Sequence, residues 1–460
     1  MFSSIFLDFN LPNSATWFYL ALLLVVALFV RFDRFLTLRN WDLLSLFLLV
    51  PGFLLLQEGH ALQALLPIVD AKLLVDHPLK LQSDRLISYG YVWLIAGSVY
   101  FFIRCLFDLG LVRRPHLAPN LNLGGLSALV IVLFICMMTV AIRRMPDQPL
   151  EQVGKQPIAI TKIQESTTSI VGYRTDLSKA DTRFWVERSV AMSLHASVLL
   201  SLILIAVKHF QDITAGMAAA CLYLLLPYTA YHISQVHHVW PAVFILWAIY
   251  TYQKPMLSGL FLGMAAGSVF FPLLLFPLWF GFYRGRGALR FTAGFLLAML
   301  LSVALTGILL LSKGDFTYHL NIALSLSDWQ AWKEPHTESI WTGAHWAYRL
   351  PVFIGYMAFV VLTIFWPSER HLGQVIAQTS AVVIGVQFWY ADQGGLYVLW
   401  YLPLFLLMVF RPNLTQHRPP MIEPGKDWLR NLLHRIGQFI GRRFKRPQPL
   451  MASFKTSRVA

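Results

Sequence analysis

Four carboxylates, Asp147 and Glu151 in RRMPDQPLEQ and Asp176 and Asp181 in YRTDLSKADTRFW, share one polar stretch with Arg143, Arg144, Arg183 and Arg188. A carboxylate can take a proton as a general base or ligate a hard cation. An Arg fork is well shaped to hold a phosphate. Each residue also has a plainer reading, as a solvated loop charge or as an arginine snorkelling to lipid head groups. A second polar stretch, DWQAWKEPHTESIWTGAHWAYR, carries Trp329, Trp332, Trp341 and Trp346, with Asp328, Glu334, His336 and Glu338 among them. Those indoles can stack on a sugar or form an aromatic belt at the water interface. His232, His237 and His238 crowd the short turn YHISQVHH. Without a carboxylate beside them, interfacial packing explains them more simply than a metal site.

These stretches are exceptions in a chain that is 57% hydrophobic and only 13% charged, where soluble domains carry about a quarter of charged residues. Apolar runs of spanning length recur from Trp17 to Phe410, which predicts an all-α polytopic integral membrane protein. Cys105, Cys136 and Cys221 each fall inside an apolar run, so neither a disulfide framework nor a cysteine metal site is expected. The first apolar run follows Asp8 and precedes Arg31, Arg34 and Arg39. That is the pattern of an N-out first helix and not of a cleavable signal peptide. Of the net charge of +14, about +9 sits after residue 410, where eleven Lys or Arg oppose Glu423 and Asp427. A juxtamembrane basic tail is explained by cytoplasmic retention and attraction to anionic lipid, with no need of nucleic acid.

Expected spans are 15–31, 42–57, 88–107, 124–142, 189–207, 213–230, 236–252, 290–311, 350–366, 372–391 and 396–410. The basic connections at Arg31 to Arg39, Arg104 to Arg114, Lys208, Lys254, Arg284 to Arg290 and Arg370 belong in the cytoplasm with the tail. Residues 255–283 hold no charge, and their length is too great for one span and too small for two ordinary ones. If they crossed once, Arg284, Arg286, Arg290 and the tail would all lie outside. The consistent reading is a hairpin of two short helices turning near Phe270, Phe271 and Pro272. That gives about 13 passes, N-out and C-in, with residues 58–87, 143–188, 231–238 and 312–349 external.

From Arg188 the chain runs RSVAMSLHASVLLSLILIAVKHFQDITAGMAAACLYLLLPYTAYHISQVHHVWPAVFILWAIY. An Arg opening a helix, a short basic connection, an Ala-rich helix ending in Pro, and a polar turn before an aromatic-rich helix follow in that order. The hairpin GLFLGMAAGSVFFPLLLFPLWF comes next, and LWYLPLFLLMVFRP closes the membrane region. This resembles the GT-C superfamily of polytopic glycosyltransferases, which includes protein mannosyltransferases, aminoarabinose transferases and polyprenyl-phosphate-mannose-dependent enzymes. The resemblance implies a three-helix membrane extension at 1–123 and a GT-C-like core module at 124–311 with external loop 143–188. Residues 312–410 would then supply the Trp-rich loop and last helices, and 411–460 the basic tail. It further implies a polyprenyl-phosphate-linked sugar as donor, used at the outer face of a bacterial cell (inner) membrane. An external carboxylate would act as base or help hold a divalent cation: Asp147 leads, with Glu151, Asp176 and Asp181 as rivals. Arg188, at the family position, would hold the donor phosphate with Arg183 nearby.

Two departures keep other readings open. Ser234, Gln235, His237 and His238 stand in the turn where many relatives carry an Asp, and SVFFP stands where many carry a Lys. A catalytically inactive scaffold is therefore one alternative. A transporter or lipid flippase is another, although the spans carry almost no ionisable residues and no internal repeat, unlike ion-coupled carriers. The tail segment DWLRNLLHRIGQFIGRRF aligns Trp428, Leu429, Leu432, Leu433, Ile436, Phe439 and Ile440 on one face. It is expected to lie as an amphipathic helix on the cytoplasmic leaflet.

Overall fold

The computed structural model describes residues 14–66, 77–111, 119–143, 179–311, 330–334, 338–367 and 370–421. Among these the chain is helical with no β-strand, as it must be where a bilayer offers the backbone no other partners. Six helices are long and apolar enough to cross a membrane: Leu38–Ala64, Pro78–Asp108, Leu123–Ile142, Phe184–Phe210, Ala288–Leu310 and Leu372–Trp389. Six shorter apolar helices accompany them. The amphipathic tail segment and most of both long polar stretches lie outside the described residues.

In chain order the helices are α1 (Ser14–Phe29), α2 (Leu38–Ser45), α3 (Val50–Ala64), α4 (Pro78–Asp108), α5 (Leu123–Arg143), α6 (Lys179–Ile205), α7 (Ile213–Leu225) and α8 (Pro227–Tyr231). They continue as α9 (Val236–Tyr250), α10 (Pro255–Ser268), α11 (Phe276–Phe282), α12 (Ala288–Leu310), α13 (Arg349–Leu362), α14 (Leu372–Trp389) and α15 (Leu402–Phe410). Their starts have local causes. Pro78, Pro227 and Pro255 open α4, α8 and α10, where the missing N–H costs nothing. Asp212 caps α7 by accepting from the Ala215 N–H at 3.0 Å.

One end of the bundle is closed by four buried charges. The Arg104 guanidinium donates from Nε to Asp42 Oδ1 at 2.6 Å and from Nη2 to Oδ2 at 2.8 Å, and from Nη1 to Asp108 Oδ1 at 3.3 Å. Arg411 donates to the other oxygen of Asp108 from Nε at 2.9 Å and Nη2 at 2.7 Å. The four side chains are between 0% and 6% exposed, and two carboxylates against two guanidinium groups leave no net charge. Burial, together with the facing charges of Arg411, Arg418 and His417, pushes the neighbouring His371 imidazole down to about 4. It therefore adds no cation to the cluster at neutral pH. The basic connections gather at this same end. Leu372 N donates to His417 O at 2.8 Å, Arg286 Nη1 to Pro419 O at 2.8 Å, and Lys208 Nζ lies over the Tyr250 ring.

Glycines set the path of residues 255–283. A side chain at Gly259 would collide with the carbonyl of Phe291, one at Gly263 with Phe295 and Ala298, and one at Gly267 with Met299 and Ser302. Contacts that rise together along both helices mean that α10 and α12 run parallel, with backbones in close approach over a small-xxx-small face. The chain between them must therefore return. It breaks at Val269, which is extended, and comes back through the 3₁₀ turn Phe271–Leu275 and α11. Tyr283 Oη then donates to Tyr252 O at 2.6 Å, beside the residues that precede α10. Trp240 Nε1 donates to Ser268 Oγ at 3.0 Å and marks the opposite level.

At that opposite end the helices stop at different heights. The 13-residue α7, 15-residue α9, 14-residue α10 and 9-residue α15 reach at most about 22 Å at ~1.5 Å per residue, short of a hydrocarbon core of about 30 Å. Their neighbours rise past them. α12 runs on from Ser302, level with Gly267, to Leu310, about 12 Å further. Phe53 packs on Tyr231 and His232, and α3 continues from there to Ala64, about 16 Å. The result is a stepped end of the bundle, called the basin below, at which the short helices stop beside longer ones.

Because Asp108 serves both arginines, Asp108→Ala is expected to lower unfolding stability by about 3–5 kcal/mol, the cost of leaving a buried charge without its partner. Thermal unfolding of purified protein in nanodiscs measures it; an unchanged midpoint would show that the cluster does not hold the bundle together.

Candidate functional site

The basin floor is built from a column of rings. His232 stacks on His238 with centroids 3.7 Å apart, His238 on Tyr397 at 4.9 Å, Tyr397 on Trp400 at 4.0 Å, and Trp400 on Phe271 at 4.1 Å. Successive rings are tilted by 16° to 26°. The column thus joins the turn before α9, the segment between α14 and α15, and the hairpin. Polar groups on its flanks fix its ends: His232 Nδ1 lies 2.6 Å from Gln235 Oε1, and Trp400 Nε1 donates to His237 O at 3.0 Å. Each imidazole is nearly inaccessible, so the three histidines serve first as packed rings. Among the described residues no group of three His, Cys, Asp or Glu is arranged to hold a metal ion.

Beside the column sits a carboxylate that the sequence reading did not single out. Asp392, 6% exposed, accepts from Tyr397 Oη at 3.2 Å. Its turn is tightly specified. Gln393 holds φ 51° and Gly395 φ 100°, a left-handed conformation that a non-glycine residue adopts at a cost. Gly395 N donates to Gln387 Oε1 at 2.8 Å, and Gln393 N donates to Glu338 O at 3.2 Å. Glu338 is half-exposed, 3.2 Å from His60 Nε2 and 3.4 Å from Gln63 Nε2 at the end of α3. The turn packs against α4, where a side chain at Gly395 would meet Leu94 and Ile95, one helical turn from the buried Tyr91.

No family model, curated protein or solved structure matches this chain.

Asp147, Glu151, Asp176 and Trp329 lie outside the described residues. Asp181 and Arg183 stand on the first turns of α6, where the backbone alone is described. Arg188 is 6% exposed on the same helix, its guanidinium carbon 4.9 Å from the Phe184 ring centroid. Its height follows from His195, whose Nδ1 lies 2.8 Å from Tyr223 Oη near the end of α7. Arg188 stands about 10 Å above that level, on the basin wall. The three described tryptophans of the candidate set have separate roles. Trp341 donates from Nε1 to Phe388 O at 3.1 Å and pins its segment to α14. Trp332 is 54% exposed on a turn gathered by Arg349, which donates from Nη2 to Gln330 O and Lys333 O, each at 2.8 Å. Trp346 lies in the 3₁₀ turn Trp346–Tyr348, capped by His345. The residues that sequence reasoning missed, Asp392, Tyr397, Trp400 and Tyr91, meet only through tertiary packing; the local signal was the turn YADQGGLY with its acid and paired glycines.

Tyr397 links the imidazoles to Trp400, so Tyr397→Leu is expected to cost about 1–3 kcal/mol in lost aromatic packing and burial. Thermal unfolding in nanodiscs reads this; a midpoint equal to that of the unsubstituted protein would mean the column contributes no packing.

Proposed function

We propose that this chain is a membrane glycosyltransferase of GT-C type, moving a sugar from a polyprenyl-phosphate donor to an acceptor at the outer face of a bacterial cell membrane. The observation that carries the reading is Arg188: a guanidinium almost removed from solvent, on the wall of a basin, at the position where the resemblance expects the donor phosphate. A phosphate is the ligand such a fork suits best, and a lipid-borne one would arrive at the height of that wall. The parallel α10 and α12 with a returning hairpin between them support 13 passes, N-out and C-in. The basin then faces outside, and the basic connections, with the tail on anionic lipid, face the cytoplasm.

In this reading loop 143–188 carries the base or divalent-cation ligand, Asp147 foremost and Glu151, Asp176 and Asp181 behind it. Arg183 backs Arg188, and Trp332 offers an exposed face to a sugar. A carrier would need ionisable groups along a path; the buried charges at the basic end instead cancel one another.

The test uses protein in nanodiscs with a radiolabelled polyprenyl-phosphate sugar. Asp147→Asn is expected to abolish turnover with donor binding intact, and Arg188→Ala to weaken binding of polyprenyl phosphate by about 10- to 100-fold, the worth of a charge-assisted contact. Full transfer in Asn or Gln variants of all four carboxylates would reject the loop as the catalytic site, and unchanged donor binding in Arg188→Ala would reject the phosphate site.

A further inference from the structure

We propose that the connection between α1 and α2, residues 31–41, is a membrane anchor that seats in the leaflet at the basic end of the bundle and takes anionic phospholipid as its partner. The membrane-spanning character of the chain is the only premise, and the transferase reading is not required.

The segment reads RFDRFLTLRNW, in which large apolar residues are interleaved with Arg31, Arg34 and Arg39. Its height is fixed by the next residue, Asp42, which is paired with Arg104 in the buried cluster at that end. It also stands at the mouth of the apolar span Leu38–Ala64. There Phe32 is 69% exposed, Phe35 53%, Leu36 81% and Trp41 55%. Two other connections at this end are built the opposite way. In 251–254 the exposed residues are Gln253 and Lys254 while Tyr252 is buried, and in 283–286 they are Arg284 and Gly285 while Tyr283 is buried. Outward apolar side chains are therefore not a general consequence of turning at this end.

A second observation is how the backbone of the connection is satisfied. Asn40, wholly buried, donates from Nδ2 to Arg31 O at 2.8 Å and to Phe35 O at 3.2 Å, and its Oδ1 accepts from the Arg31 N–H at 3.2 Å. Arg39 Nη2 donates to Phe29 O at 3.2 Å, and the Trp41 N–H donates to Thr37 O at 3.1 Å. A connection standing in water can leave such groups to solvent, whereas one seated among lipid cannot. The same bonds close the segment on itself. Its apolar side chains are thus held outward by a fixed backbone, and little ordering is left to be lost on binding.

Charge selects the partner. Within the segment three arginines oppose only Asp33. Aromatic and aliphatic residues interleaved with arginine match the boundary between acyl chains and head groups: Phe32, Phe35 and Leu36 suit the acyl side, the Trp41 indole the interface, and a guanidinium fork the lipid phosphate. A protein could cover the same apolar residues, but the net positive charge at the mouth of a spanning helix favours lipid. An anionic head group adds an attraction that a zwitterionic one lacks.

The test is the depth of the segment in a bilayer. Nitroxide side chains are placed by Leu36→Cys and, as a control in a connection of opposite build, by Gln253→Cys. Both carry Cys136→Ser, so that the remaining thiols, Cys105 and Cys221, are buried. Full-length protein is held in nanodiscs of phosphatidylcholine with or without phosphatidylglycerol. Power-saturation EPR then compares collision with oxygen, which concentrates among acyl chains, and with a water-soluble nickel chelate. The expected result is nickel collision several-fold lower at Leu36→Cys than at Gln253→Cys, with oxygen collision high. Phosphatidylglycerol should lower the nickel collision further, and Arg31→Gln combined with Arg34→Gln should remove that increment. Should the double arginine variant fail to fold, raised salt, which screens the head-group charge, should remove the increment with the arginines unaltered. Nickel collision equal at the two positions would overturn the proposal by placing the segment in water. Exclusion of both reagents from Leu36→Cys would overturn it by showing protein cover. A depth indifferent to phosphatidylglycerol would overturn the choice of anionic lipid.

Discussion

Asp42, Arg104, Asp108 and Arg411 come from the beginning and the end of the membrane region, and none of them can be buried without the others. A carboxylate or guanidinium placed singly in so apolar an environment would cost several kcal/mol; arranged with alternating sign and bidentate geometry, the four offset one another. Asp108 is the hinge of the set because one oxygen faces each arginine. The cluster fixes α2, the end of α4 and the segment after α15 at one height. The helices that begin there are aligned at that end whatever their lengths, and differences in length appear at the other.

The basin follows from this alignment and from the glycine face of α10. Where Gly259, Gly263 and Gly267 let two backbones meet over α12, no room is left for lipid between them, and the chain must re-enter the bundle through the short α11 rather than span beside it. Short helices exposed to hydrocarbon would leave carbonyls without partners; here the ring column, the Asp392 turn and the indole donors of Trp240, Trp341 and Trp400 occupy those helix ends. The polar floor is thus the consequence of ending helices inside the bundle.

The helical class, the recurrence of apolar helices and the reversal within 255–283 were legible because each depends on local composition or on the parity of charged connections; the breaks within expected spans, at Leu226 and Pro227 and before Leu402, were not. The roles of individual charges were not. Arg104 and Arg411 read as members of basic cytoplasmic connections, yet both are buried in ion pairs, because Asp42 and Asp108 reach them from 62 and 303 residues away in sequence. The histidine turn read as interfacial packing with no acid near it; the acid that flanks its rings, Asp392, lies beyond the hairpin and three further helices. Arg188 was singled out by its position at the head of a helix, and its burial is visible only once α6 is packed against α7 and α9.

The two ends of the bundle are opposed: charge is cancelled in ion pairs at one, and an acid, phenols and an arginine are packed among rings at the other. The measurement that tests this most directly is two-sided labelling of single cysteines in oriented membrane vesicles, one replacing Gly285 after the hairpin and one replacing Gln393 on the basin floor's rim. The account predicts that an impermeant thiol reagent reaches Gly285→Cys only from the cytoplasmic side and Gln393→Cys only from the external side. Labelling of both from the same side would contradict the returning hairpin, the orientation of the basin and the proposed site of transfer together.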